Sequence, residues 1–212
     1  MIIAAPAPSS RLHAPVAALV EELFPGLAQQ HPRTLWHRSA DHAIVRCRGF
    51  DVPQLVASGA ADLGIGGYDA CVEWSLAHAH PLMMWALPPI RTSFVTFCTV
   101  AGRAVRTIWT EYPAITRAWV ASSPTLRTAR VVPLHGSTEG VIRADPAGGG
   151  VLLVTSGETL AANGLDHDVP LLATDVCLVA RTPPVDAPAP LDVSSLPELH
   201  MPSFCAAPVG TA

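Results

Sequence analysis

The sequence predicts an α/β protein of two lobes, with candidate ligand-binding turns at its strand ends. Three observations carry that prediction. Strand-length apolar runs alternate with helical segments along most of the chain, as in sheets built from parallel strands and crossover helices. A Pro88-Pro89 break interrupts the alternation, which then resumes. Glycine-bearing turns sit where strands hand over to helices, the edge at which open α/β sheets bind ligands. With 212 residues, half of them apolar and 14% charged, the chain can bury a substantial core and has little tendency to disorder.

The elements follow in order. Met1–Ala5 reads as a buried strand. Ser9 or Ser10 then caps a helix that carries Leu12, Val16, Leu19, Val20 and Leu23 on one face, and Pro25-Gly26 stops it. Ala43–Cys47 is a second strand. Asp51 caps a helix with Pro53 in its first turn and Val52, Leu55 and Val56 facing inward. Ala61–Ile65 is a third strand ending at Gly66-Gly67, and Asp69 starts the next helix. The apolar run Leu82–Leu87 leads to the proline break, after which Ser93–Val100 carries the chain into the second lobe. There the alternation is strand Val105–Thr110, helix Pro113–Ser122, strand Ala129–Leu134, helix Ser137–Ala144, strand Val151–Val154 and helix Glu158–Asn163. Val169–Arg181 reads as extended chain returning to the first lobe. The expected organisation is 1–92 with 170–185 as the first lobe and 93–169 as the second. Residues 186–212 form a proline-rich carboxyl-terminal strap, within a tail that holds seven prolines from Thr182 onward. Two crossings, near residues 90–95 and 168–174, are expected to join the lobes.

Composition removes several functions. All thirteen basic residues are arginine, so a Schiff-base lysine and a lysine-dependent phosphate loop are excluded. A net charge of −4 with scattered arginines argues against nucleic acid. No apolar run reaches the ~20 residues of a membrane span, and the first residues lack the pattern of a secretory signal, so a cytoplasmic location is expected. The five cysteines are widely spaced and read as small buried hydrophobes in a reducing compartment, with a catalytic thiol as the alternative. The nine histidines show no metal-ligand spacing, and no metal site is predicted.

Three turns place backbone N–H groups at a helix start, which suits an anion: Gly64–Gly67, His135–Thr138 and Thr155–Thr159. The candidate ligand-binding residues are accordingly Gly66, Gly67, Gly136, Ser137, Thr155, Ser156, Gly157 and Thr159. Their alternative reading is as ordinary structural turns.

The motifs on and around these turns resemble one family over nearly the whole chain, the ATP phosphoribosyltransferases that open histidine biosynthesis. Arg46–Ile65 resembles the first-lobe signature of that family, Glu111–Pro113 with Thr116 and Arg117 its "KYP…TR" segment, and Leu134–Glu139 its "LNGSVE". Val154–Leu165 resembles its "VxTGxTLxANGL". The resemblance implies a two-lobed fold like the type II periplasmic binding proteins, with the ligand cleft between the lobes. It also implies the short form of the family, which lacks a carboxyl-terminal regulatory domain.

The same resemblance shows departures at the implied phosphoribosyl pyrophosphate site. The family's "PKGRL" is Pro8–Leu12 here, without the lysine. Its "FGxCR" is Leu87–Arg91, which keeps only the arginine. The second aspartate of its "ADAIxD", implied to hold ribose hydroxyls, is Leu152. Glu158 stands in the phosphate loop where the family has a small neutral residue, and Trp85 and Trp109 replace smaller residues. The expected function is therefore a divergent small-molecule enzyme with weakened or lost use of phosphoribosyl pyrophosphate. The alternatives are a phosphoribosyltransferase acting on ATP or another heteroaromatic acceptor, and a non-catalytic ligand-binding or regulatory subunit. Arg11, Arg46 and Arg91 are the cations expected to face the ligand. Glu139, which matches the acid of "SVE", is expected to orient a hydroxyl or act as a base, and Glu158 and Arg91 complete the candidate catalytic set. Magnesium is expected only if phosphoribosyl pyrophosphate is used. Expected partners are a small-molecule substrate and either a second copy of the chain or a regulatory subunit.

Overall fold

The computed structural model describes residues 1–27, 31, 33–39, 42–90, 92–184 and 191–204. The chain divides into two compact units, Met1–Arg91 with Asp175–Met201, and Thr92–Thr174 with the described residues from Pro202. It passes from one to the other at Arg91/Thr92 and at Thr174/Asp175. A further passage at Met201/Pro202 was not expected from the sequence.

The first unit is built on a seven-stranded sheet. Its elements are β1 (Ile2–Pro6), α1 (His13–Leu23), β2 (Trp36–Ser39), β3 (His42–Cys47), α2 (Val52–Ser58), β4 (Leu63–Gly67), α3 (Tyr68–His78) and β5 (Met83–Ala86). The returning chain adds β11 (Val176–Ala180) and β12 (Glu198–Leu199). The strand order is β12-β5-β11-β4-β1-β3-β2. The parallel pairings are those of β1 with β3 and with β4, and the pairings of β2, β11, β5 and β12 are antiparallel, so the sheet is mixed where the alternation suggested a parallel one.

Alternation along the strands assigns the two faces. Ile3, Ala5, Ile44, Ile65 and Leu178 pack under Val16, Val20 and Leu23 of α1. Ala4, Cys177 and Val179 meet Val52 and Val56 of α2 and Cys71 of α3 on the other face. Trp85 is buried in the α1-side core.

Helix α1 begins later than its serines suggest. Its N-cap position is Leu12, and the Ser10 hydroxyl instead accepts from the Leu12 N–H in the preceding turn. The hairpin strand β2 lay outside the expected elements. The tail after residue 186 is not wholly a strap, because Glu198 and Leu199 pair with β5 at the sheet edge.

The second unit contains β6 (Ser93–Thr99), β7 (Thr107–Thr110), α4 (Pro113–Ser122), β8 (Arg130–Pro133), α5 (Thr138–Ala144), β9 (Gly148–Val154), α6 (Glu158–Ala162) and β10 (Asp166–Thr174), with sheet order β10-β6-β9-β7-β8. Parallel β9-β7-β8 is the core of this sheet, and β6 and β10 join antiparallel. Strand β9 starts three residues earlier than its valines indicate. A side chain at Gly150 would overlap Ile142, so the glycines let α5 lie close on the strand. Arg103 then donates to the carbonyls of Ile142 and Asp145, both at 2.7 Å, closing the end of α5. Among the described residues no helix is long and apolar enough to cross a membrane.

Candidate functional site

In the first unit the β1–α1 turn and the end of β3 lie side by side. The register pairs Ala5 with Arg46 and Pro6 with Cys47, and the Ala7 N–H continues the ladder to the Cys47 carbonyl. Arg11 is exposed in the turn that follows. Arg46 is the more informative cation. It is only 3% exposed, yet both terminal nitrogens of its guanidinium lack a hydrogen-bond partner among the described residues. Burial lowers its pKa, although an arginine stays charged at any ordinary pH. A buried charged donor without an acceptor is costly, and an anion at this strand end would relieve it.

The first glycine turn is corrected by the structure. Gly66 and Gly67 are strand residues of β4 and pair with Cys177 and Val176 of β11. The next N–H, of Tyr68, donates to the Asp175 carbonyl. The backbone of Gly66 and Gly67 is thus taken up by the sheet and does not form a loop of its own. These glycines serve packing: a Cβ at Gly64 would stand 2.7 Å from side-chain carbons of both Val52 and Val179, and one at Gly66 3.3 Å from Val52. Helix α2 can therefore approach the strand closely.

In the second unit, Thr110 organises the end of β7. Its hydroxyl donates to the Val151 carbonyl and accepts from the Tyr112 N–H, each at 2.8 Å, while Thr116 donates back to the Tyr112 carbonyl at 2.6 Å. This leaves Glu111 at the strand tip, where its carboxylate accepts from the Gly136 N–H at 2.8 Å. The second glycine turn thus has one of its anion-facing donors occupied by the protein itself. Gly136 and Ser137 both adopt left-handed backbone, at φ of 79° and 53°, and Ser137 is the residue before α5. Glu139 follows in the first turn of that helix, half-buried. The sequence quoted Glu111 only as part of a motif. The signal that could have found it is the acid standing where that motif carries lysine.

The third turn holds the expected loop. Strand β9 ends at Val154 and α6 begins at Glu158, with Gly157 left-handed at φ 77° as the N-cap. Thr155 hydrogen-bonds Ser93 through their hydroxyls at 2.8 Å, a contact that sequence reasoning missed. The Ser156 hydroxyl accepts weakly from the Glu158 N–H at 3.4 Å. Thr155, Ser156, Glu158 and Thr159 are all exposed, and the amides of Gly157 and Thr159 point out of the first turn of α6 as helix starts do. Leu152 is 5% exposed and lies with Cys98, Ile142, Val154, Leu160 and Leu165 in an apolar cluster. Trp109 packs against that cluster and donates its indole N–H to Asp145 at 2.9 Å. Trp85 and Trp109 are therefore structural. Arg91 lies outside the described residues.

The cysteines fit the reading as buried hydrophobes at Cys71, Cys98 and Cys177, and Cys47 is half-buried; Cys205 lies outside the described residues. Among the described residues no group of three or more His, Cys, Asp or Glu side chains is placed to hold a metal.

The two units and their strand-end turns define an α/β protein of the type II periplasmic-binding-protein class. An arginine-bound ArgBP from T. maritima shares that fold, with a TM-score of 0.53 at 12% identity over 88% of this chain and 90% of its own. The ATP phosphoribosyl transferase (HisG:HisZ) complex from Thermotoga maritima contains a chain similar at a TM-score of 0.72 and 22% identity, covering 85% and 87% of the two chains. The family model for HisG, ATP phosphoribosyltransferase, matches residues 48–189. The chain belongs to that family. An ATP phosphoribosyltransferase of Halobacterium salinarum is 32% identical over 187 residues, which is 84% of this chain. The chain spans 65% of that relative's own length, and about half of some others.

Proposed function

We propose that this chain is a small-molecule enzyme on the ATP phosphoribosyltransferase scaffold, retaining anion binding but with weakened or lost use of phosphoribosyl pyrophosphate. The observation that carries the reading is Leu152. The position implied to bind ribose hydroxyls holds a side chain that cannot accept a hydrogen bond and that is packed into an apolar cluster. Glu111 adds to it by occupying an N–H of the Gly136 turn. Glu158 adds a carboxylate to the third turn, where it would repel a phosphate.

What remains favours an anionic ligand. Arg46 offers two guanidinium nitrogens without a partner among the described residues, with Arg11 in the neighbouring turn. The turn Thr155–Thr159 offers amides and hydroxyls. In this reading Glu158 and Glu139 orient a hydroxyl of the ligand or take its proton, and Arg91 neutralises charge that builds as a bond breaks.

A second reading, phosphoribosyl transfer to ATP or another heteroaromatic acceptor, is favoured by the intact glycine turn at Gly157. There the amides and arginines would stabilise departing pyrophosphate, and magnesium would accompany that substrate. The subunit composition of the Thermotoga maritima complex supports assembly with a second subunit in either case, and a purely regulatory role remains the third reading. We assign the activity to the cytoplasm.

Isothermal titration with phosphoribosyl pyrophosphate and magnesium separates the first two readings. Loss of two charge-assisted hydrogen bonds, at roughly 1.5–3 kcal/mol each, weakens binding by about two to four powers of ten. Binding is expected in the millimolar range or not at all. Micromolar affinity would refute the first reading and restore the transferase.

A further inference from the structure

On helix α1, Pro15, Ala18, Leu19 and Glu22 follow the i, i+3, i+4, i+7 spacing of one helical stripe. That stripe forms one wall of a cavity of about 430 Å³. The second wall is Leu87–Ile90, the proline break that follows β5. The third is the segment Leu191–Leu196, which includes a 3₁₀ turn at Val193–Ser195. All three walls belong to the first unit. Leu23, Leu87 and Leu191 are buried, whereas Leu19, Ile90 and Leu196 pack on the same core with part of their apolar surface left open. The volume lies within the range of about 300–1,000 Å³ of small-molecule sites, and a mainly apolar lining with a few polar groups is their usual composition.

The charges at the rim have one sign. Glu22 and Asp192 are exposed carboxylates, and among the described residues no arginine or histidine lines the cavity. Asp192 is held in place, because its Oδ1 accepts from both the N–H and the hydroxyl of Ser194. Its Oδ2 is left without a protein partner among the described residues. An anionic ligand would meet two like charges here, and a cationic one two opposite charges. The cavity also adjoins the path between the units. Ile90 stands beside the crossing at Arg91/Thr92, and its N–H donates at 3.0 Å to the carboxylate of Asp175, the first residue of the returning chain.

We propose that this cavity is a binding site for a small amphipathic amine, its apolar part on Leu19, Ile90 and Leu196 and its ammonium at the rim with Glu22 and Asp192. Such binding does not depend on what the chain catalyses. A ligand packed on Ile90 would hold the segment that leads to one crossing and bonds to the other. Isothermal titration with probes of one skeleton tests the assignment: 2-phenylethylamine, protonated at neutral pH, the neutral 2-phenylethanol and the anionic 3-phenylpropionate. The amine is expected to bind about three- to tenfold more tightly than the alcohol, as two solvent-exposed charge pairs allow, and the carboxylate more weakly than either. Added salt should narrow the gap. Glu22→Gln combined with Asp192→Asn should bring amine and alcohol to the same affinity without weakening the alcohol, since asparagine still caps the 3₁₀ turn. Leu19→Trp, which adds bulk to the cavity from a half-buried position, should weaken both, with circular dichroism confirming the fold. An amine that does not bind at millimolar concentration overturns the proposal. So does equal affinity for all the probes, or a preference for the amine that survives E22Q with D192N. Unaltered binding by a folded Leu19→Trp variant overturns it as well.

Discussion

Arg46→Met should make the protein more stable and less able to bind an anion, two effects of opposite value from one substitution. The side chain is almost fully enclosed, and both terminal guanidinium nitrogens lack acceptors among the described residues. An unsatisfied buried charge costs about 2 kcal/mol or more, and methionine fills similar space without polar atoms. For a chain of this size about 2 kcal/mol corresponds to an increase in Tm of about 4–8 °C. Scanning fluorimetry of both proteins, with and without inorganic pyrophosphate, reads both effects. The unaltered protein should gain stability from pyrophosphate, because the ligand supplies the missing acceptor. The variant should begin at the higher Tm and gain little further. A variant that melts earlier than the parent without ligand would refute the reasoning, since it would mean that the guanidinium is satisfied. A variant that keeps the full response to pyrophosphate would place the anion elsewhere.

Two predictions concern the third turn. Gly157→Val forces a β-branched residue to φ 77°, a strain of about 1–3 kcal/mol confined to an exposed loop; ligand binding or turnover should be lost while the circular dichroism spectrum is kept, and full activity would locate the working site elsewhere. Glu158→Ala should strengthen phosphate binding if the carboxylate only opposes the anion, and should abolish turnover with the fold intact if it has been recruited for chemistry. A further prediction concerns Cys47, whose thiol burial and the nearby Asp51 push up to about 12. A raised thiol pKa means that the native state holds the proton more tightly than the unfolded chain. Its contribution to stability is fully present below the unfolded value near 9 and is lost as pH rises toward 12. Native Cys47 should therefore alkylate far more slowly than a peptide thiol at about pH 8; peptide mapping after iodoacetamide, showing the peptide rate, would contradict this.

The fold was legible wherever one residue type had one physical meaning. Pro113 at the start of α4, with Ile115 and Trp119 on one face, permits little besides a helix at Pro113–Ser122. Strand β2 was not legible, because Trp-His-Arg-Ser carries no apolar face at all: its burial alternates between exposed and half-buried, and its pairing is set by β3. Of the candidate site, the Thr155–Thr159 loop was legible from its motif. The state of Arg46 was not, since sequence names the cation but not whether an acceptor lies near it.

Glycine is where the reading divided, and the structure says why. A glycine is required either for a left-handed backbone or for a close approach by another element, and the letter is the same. Gly157 has φ 77° and belongs to the first case. Gly64 and Gly66 are extended and belong to the second, facing Val52 at distances that admit no Cβ at Gly64 and crowd one at Gly66. The information that separates them is carried by residues far away in the chain. Val179 on β11 packs against Gly64, and Val176 and Cys177 of the same strand take the ladder positions opposite Gly67 and Gly66. A glycine run beside a strand is thus evidence of a ligand turn only when no distant strand uses its backbone. On that criterion Gly66 and Gly67 fail because β11 pairs them. Gly136 is compromised because Glu111 holds its amide. At the Gly157 turn no distant strand or side chain is seen to take the glycine amide among the described residues, and that is where an anion should first be sought in the second unit, as at Arg46 in the first.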